Sequence, residues 1–162
     1  MPDPRGVMVE TPLGPFSVVV GDAGVIGTRF GPVPRDVPRA DRALAGVRRE
    51  ITAYFRGKLR VFETPVDLSG VGEGFARRAL EVVRTVPYGE LWTYGDVAAA
   101  AGSARGGRAA GSALARCPIE LFVPCHRIVR AGPDLGSYGG HDDRRRFLLE
   151  LEGAVPGRSR RA

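Results

Sequence analysis

Three short runs of β-branched and aromatic residues open the chain: VMVE at 7–10, FSVVV at 16–20 and VIGTRF at 25–30. The Pro and Gly cluster TPLGP separates the first two, and glycine-bearing residues 21–24 separate the others, so the pattern predicts an antiparallel meander with short turns. GPVPRDVPR, 31–39, carries three prolines and predicts a connecting loop. Leu44, Val47, Ile51, Tyr54 and Phe55 then recur at helical spacing, with Gly57 placed for a C-terminal cap. LRVFETPVDL, 59–68, reads as strand-like, and SGVGEG at 69–74 is the candidate domain boundary.

Beyond that boundary the period changes to helical. Phe75, Ala79, Val82, Val83 and Val86 share one helix face, which stops at Pro87. Thr93 precedes an alanine-rich run with Asp96 three residues on, a capping box that starts a short helix. Gly102 and Ser103 break it, Ser103 is placed to cap a second helix running to about Ala115, and Pro118 ends the segment. Two short helices on a tight turn form a helix-turn-helix pattern, which a plain helical hairpin in a core also shares. Gly106, Gly107 and Gly111 each cost the second helix about 1 kcal/mol relative to alanine. Their small size suits close approach, either to a groove or to a neighbouring helix, and Arg108 is the long side chain among them. IELFV, 119–123, reads as a short buried strand that Pro124 ends, leaving Cys125 at a strand end or turn. In HDDRRRFLLELEG, Asp142 or Asp143 starts a last helix, with Phe147, Leu148 and Leu151 inward and Glu152 in its final turn before Gly153.

At 162 residues and 43% hydrophobic the chain can bury a real core in one or two small domains. The predicted class is α+β: a small antiparallel sheet with a helix over 1–70, a mainly helical domain over 71–155 carrying the helix-turn-helix, and a basic tail over 156–162. No apolar run reaches the roughly 18 residues of a membrane span, and MPDPRG has no secretory-signal character, so a cytoplasmic protein is expected. Two cysteines (Cys117, Cys125) and two histidines (His126, His141) are too few for a structural zinc site alongside other roles, so no metal is expected, and the thiols are expected reduced. Net charge is +6, from 24 basic and 18 acidic residues. Arg105, Arg108, Arg116, Arg127 and Arg130 stand against Glu120 alone over 97–130, which suits a polyanionic partner. A general preference for arginine explains part of this, since Lys58 is the single lysine.

The chemistry concentrates in VPCHRIV, 123–129. A thiol with a pKa near 8.5 is mostly protonated at neutral pH, and the imidazole of His126 with Arg127 nearby favours the thiolate. A histidine base needs an orienting carboxylate, for which Glu152 is the candidate. The plain alternatives are a small buried hydrophobe for Cys125 and a surface helix end for Glu152.

PCHRIV, preceded by VPYGELWTYGDVA and RAAGSAL and followed by GSYGG and LLELEG, resembles the alkylguanine-DNA alkyltransferase family in order and spacing from about Phe75 to Gly153. TPLGPF and AYFRGKL resemble that family's variable, ribonuclease H-like first domain. The resemblance implies a flipped alkylated guanine in duplex DNA whose alkyl group passes irreversibly to Cys125, once per molecule, without cofactor or metal. It implies His126 as a water-linked base, Glu152 as the carboxylate orienting it, and Tyr94 as the side chain that crowds the phosphate and protonates the base. Arg108 resembles the finger that fills the vacated stack, with Ala109, Arg105, Arg127 and Ser103 as further DNA contacts. Pro118, Val123, Ile128, Tyr138 and Gly139 correspond to the substrate pocket. Relatives that recognise the lesion without chemistry resemble this chain but lack the cysteine. A departure falls at Cys117, where the family commonly has an asparagine hinge able to bond backbone on both sides; cysteine is the weaker donor and acceptor. A monomer is expected. A cysteine hydrolase using Cys125, His126 and Glu152 remains the third reading.

Overall fold

The computed structural model describes residues 3–131 and 142–154, with Asp142 described in its backbone only. It divides into two compact units, residues 1–70 with Pro118–Phe122, and residues 71–117 with 123–162.

The first unit is the expected meander. Strands β1 (Arg5–Thr11), β2 (Gly14–Gly21) and β3 (Gly24–Phe30) pair antiparallel in the order β1-β2-β3. Val7 lies opposite Val18 and Val9 opposite Phe16, so alternate apolar residues line one face. Val7, Val9, Phe16, Val18 and Val25 are buried there. Helix α1 (Ala45–Phe55) contributes buried Val47, Ile51, Tyr54 and Phe55 and ends, as its spacing predicts, at Gly57 in the left-handed region.

Two predicted strands are absent. Across 59–68 the chain is irregular apart from one isolated bridge, Val25 with Val66. Pro65 has no N–H to give a ladder, and its carbonyl instead accepts from Val25 N at 2.8 Å. Glu50 of α1 takes the amides of Glu63 and Thr64 at 2.7 and 3.1 Å, and the Thr64 hydroxyl as well. Residues 119–123 are not a strand either: Leu121 is buried with φ 78°, a conformation no strand residue adopts. Glu120 O accepts from the Thr28 hydroxyl at 3.1 Å, and Pro118 O, just before the segment, from Thr28 N at 2.9 Å. Phe122 then stacks on Phe62, ring centroids 4.6 Å apart. Pro118–Phe122 therefore belongs to the first unit, whereas the sequence assigned it to the second.

The second unit is mainly helical: α2 (Phe75–Arg84), α3 (Tyr94–Ala100), α4 (Gly107–Ala115) and α5 (Asp142–Leu151), with two short parallel strands, β4 (Trp92–Thr93) and β5 (Ile128–Val129). Its core includes Leu80, Val83, Val97, Ala110, Val123 and Ile128, and a cluster of Leu91, Val129, Leu149 and Ala154. No described helix is long and apolar enough to cross a membrane.

Ser103 does not cap α4. The helix starts four residues later, with Gly106 before it, because Ser103 is spent closing the turn: its amide bonds Ala98 O at 2.8 Å and its carbonyl accepts from Gly106 N at 2.9 Å. The inward face of α5 also differs from expectation. Arg145, Leu148, Leu149 and Glu152, at i, i+3, i+4 and i+7, are buried, while Phe147 and Leu151 are only partly so.

Candidate active site

Pro124, at φ −79° and ψ 63°, makes an inverse γ-turn closed by Cys125 N on Val123 O at 2.7 Å. The chain continues as a single 3₁₀ turn, Cys125–Arg127, before entering β5. Cys125 and His126 are consequently held by backbone bonds in a buried turn, at 4% and 0% exposure. Both cysteines of the protein are thiols.

β4 lies parallel to β5, with Thr93 opposite Val129, and so delivers the start of α3 beside this turn. The capping box is complete: Thr93 Oγ1 accepts from Asp96 N and Asp96 Oδ2 from Thr93 N, each at 3.0 Å. It fixes Tyr94 as the first residue of α3. Burial pushes the Tyr94 hydroxyl pKa up and the neighbouring Cys125 adds to the rise, while Arg145 and Arg130 oppose it. α4 passes close: a side chain on Gly111 would meet the Tyr94 ring at 3.8 Å, and one on Gly107 the Gly95 amide at 4.0 Å. An alanine at either position would make only ordinary van der Waals contact with α3, so this approach does not by itself demand glycine.

Glu152 follows α5, and Gly153 at φ 70° closes the helix end, with Gly153 N on Glu150 O at 3.1 Å and Ala154 N on Leu149 O at 2.9 Å. A carboxylate there opposes the helix dipole and needs compensation. Two side chains supply it. Glu152 Oε2 lies 2.7 Å from His126 Nε2, and Arg127 grips the carboxylate with Nε on Oε1 at 2.8 Å and Nη2 on Oε2 at 2.9 Å. Burial alone would raise the Glu152 pKa; His126 and Arg127 outweigh it and hold the group well below the usual carboxylate range. Burial lowers the His126 pKa, against the pull of Glu152, and Arg127 and Arg145 lower it further. An ionised carboxylate facing a neutral ring sets the tautomer: Nε2–H donates to Glu152, and Nδ1 keeps its lone pair. Nδ1 has no hydrogen bond to any described residue.

The sequence placed Cys125, His126, Glu152 and Tyr94 together, and these four gather around the Cys125–Arg127 turn. Arg105, Arg108 and Ala109 are exposed on and before α4, and Ser103 is partly exposed. Val123 and Ile128 are fully buried, Pro118 is exposed in the first unit, and Tyr138 and Gly139 lie outside the described residues. Arg127 is not where a DNA contact belongs: it is 7% exposed, with its guanidinium on Glu152 and on Val86 O at 2.7 Å. Cys117 is partly exposed after α4, its amide bonded to Leu114 O at 3.1 Å. Arg145, 2% exposed on α5, was missed altogether. Its signal was available, since it falls seven residues before Glu152 on one helical face. Among the described residues no cluster of three or more His, Cys, Asp and Glu could hold a metal ion.

Two family models match this chain: "6-O-methylguanine DNA methyltransferase, ribonuclease-like domain" over residues 6–68 and the DNA binding domain of the same description over residues 74–154. A methylated-DNA--protein-cysteine methyltransferase of Mycolicibacterium paratuberculosis is 35% identical over 149 residues, covering 89% of this chain and 89% of that protein. A DNA base-flipping protein of Thermus thermophilus is 39% identical over 149 residues, covering 91% and 99%. Among solved structures, Mycobacterium tuberculosis OGT in complex with DNA superposes with a TM-score of 0.82 at 33% identity, covering 91% of this chain and 92% of that one.

Proposed function

We infer the activity from one premise: this chain belongs to the 6-O-methylguanine DNA methyltransferase family. It is a DNA repair protein that reverses damage directly, a methylated-DNA--protein-cysteine methyltransferase acting on DNA. The alkyl group leaves the exocyclic oxygen of guanine for Cys125. A base inside a duplex is out of reach of a buried thiol, so the lesion is flipped out first, at a cost that a weakened pair lowers.

In the step itself the Cys125 proton goes to His126 Nδ1, directly or through one water, and the sulfur attacks the alkyl carbon. The S–C bond forms as the C–O bond breaks. The electron pair stays on guanine, which takes a proton from the Tyr94 hydroxyl, and the phenolate is refilled from the imidazolium. The net change is one thiol to one thioether and alkylguanine to guanine, and nothing in the chain offers to reverse the thioether, so each molecule acts once. Arg108, exposed on the small-residue helix α4, is the side chain suited to occupy the vacated stack, with Arg105 on phosphate.

The observation that carries this reading is the His126–Glu152 bond at 2.7 Å beside Cys125, which leaves one imidazole nitrogen free to accept. The test is reduced protein incubated with excess duplex DNA holding one methylated guanine, followed by mass analysis of the Cys125 peptide. One added methyl per molecule and no more supports it; many products per molecule make the protein a hydrolase.

The Thermus thermophilus base-flipping relative favours a second reading, lesion recognition without transfer. Cys125 separates the two. Cys125→Ala keeps lesion binding under either reading and abolishes transfer only under the first, and a wild-type protein that binds without gaining mass establishes the second.

A further inference from the structure

Arg127 is the buried cation of the Cys125–Arg127 turn, and every bond it makes is inward. Its Nε and Nη2 clamp both oxygens of Glu152, its Nη1 bonds Val86 O, and its guanidinium carbon lies 5.6 Å from the centroid of the Tyr88 ring. Tyr88 in turn donates its hydroxyl to Leu151 O at 3.3 Å, and a side chain on Gly89 would meet Glu152 O at 3.3 Å. The 86–89 turn, the end of α5 and the active-site turn therefore meet at one guanidinium.

We propose that Arg127 is a positioning residue for the alkyl transfer: by clamping both oxygens of Glu152 it fixes the carboxylate that orients His126, and so decides that Nδ1 is the nitrogen left to take the thiol proton. The role rests on the alkyltransferase reading for its consequence, but the geometry it invokes belongs to the protein without DNA. A carboxylate held by one histidine alone could rotate or take up a proton; a bidentate guanidinium prevents both. Oε2 is shared, since it accepts from Arg127 and from His126, so the ring can be served from one direction only.

The charged groups facing His126 are Arg145 from α5, Glu152 just after it and Arg127 from its own turn, with Cys125 adjacent and Tyr94 beyond it. Glu152 favours the imidazolium and both arginines oppose it. Loss of the Arg127 charge must therefore move His126 titration to higher pH, and at neutral pH more of the ring is then protonated and unable to act as base.

The experiment is nitrogen NMR of the His126 ring in the free protein, assigned against His141→Gln, together with single-turnover methyl transfer against pH. Wild type is expected to show Nε2 protonated and Nδ1 bare at neutral pH. Arg127→Met is expected to shift the His126 titration, and the acidic limb of the rate profile with it, upward by about one pH unit, tenfold in the neutral fraction on that limb. Arg127→Lys keeps the charge but cannot clamp two oxygens, so its titration stays near wild type while transfer slows by about tenfold. A wild-type ring protonated at Nδ1, or an Arg127→Met titration that does not move, overturns the proposal. So does a fall of about one in the salt slope of DNA binding by Arg127→Met, which would return the residue to a phosphate contact. Should Arg127→Met fail to fold, Arg127→Lys decides, and wild-type transfer by it is fatal. A wild type inert in transfer but showing the stated tautomer and the Arg127→Met shift overturns the alkyltransferase reading and supports the role of Arg127 at His126.

Discussion

His126 is buried and neutral, and that state carries both the chemistry and a liability. Its pKa lies below 6.5, so transfer is expected to hold its rate through neutral pH and fall as the medium is acidified through the folded value. His126→Ala, which removes the proton acceptor and leaves the thiol, is expected to transfer on the order of a hundredfold more slowly, measured in single turnover. The same residues tie stability to pH. His126 takes up its proton more readily unfolded, so acid favours unfolding from about pH 6.5 downward. Glu152 contributes stability that is present above its unfolded value of 4.5 and lost as pH falls through its lower folded one. Both shifts have the same sign, and urea midpoints should decline steadily from pH 7 to 4. Glu152→Ala leaves the buried Arg127 uncompensated and is expected to cost about 3–5 kcal/mol at pH 7 by urea unfolding. A loss under 1 kcal/mol would mean that solvent reaches Arg127 and that the buried cluster is not what it is taken to be.

The elements were legible wherever one period ran long enough. β-Branched runs between Pro and Gly turn clusters marked the three strands of the meander, helical spacing marked α1 and α2, and the Thr93–Asp96 pair fixed the start of α3 to the residue. What could not be read was structure decided by partners distant in the chain. IELFV is a short, mostly apolar run that periodicity alone cannot assign, and Thr28, roughly ninety residues earlier, holds it by taking the carbonyls of Glu120 and of the preceding Pro118 singly. Arg127 looks like surface charge until Glu152 is in view, and Arg145 until the burial of its helix face is. Two element boundaries lend themselves to test. Thr93→Ala removes the side-chain half of the capping box and is expected to cost about 1 kcal/mol, with a larger loss in transfer rate than in stability because Tyr94 is the next residue. Gly24→Ala places a Cβ 2.4 Å from Pro65 O at φ 136°, so it is expected to destabilise by about 2 kcal/mol or more in thermal or urea melts. Wild-type melting by that variant would show that the Val25–Val66 bridge is dispensable.

At the scale of the whole molecule, two kinds of arginine divide the labour. Arg127 and Arg145 are buried and act on the site's own charges, whereas Arg105 and Arg108 are exposed around α4, where no carboxylate is described beside them. A net charge of +6 draws the protein to any duplex, but attraction alone does not open one. Opening requires that the gap left by the lesion be filled, and Arg108 is the one long side chain rising from α4. If it serves as that filler, its value depends on there being a stack to fill. Arg108→Ala is therefore expected to slow methyl transfer from duplex DNA by at least tenfold, while transfer from the same lesion in a single strand, where no partner base is abandoned, changes by less than about threefold, because flipping costs least where the base is already unpaired. Both substrates carry phosphate, so loss of a plain phosphate contact would weaken the two alike, and an equal fall in both would reduce Arg108 to a share of the electrostatic footprint. A duplex-specific fall would show that Arg108 acts on the vacated stack rather than on phosphate.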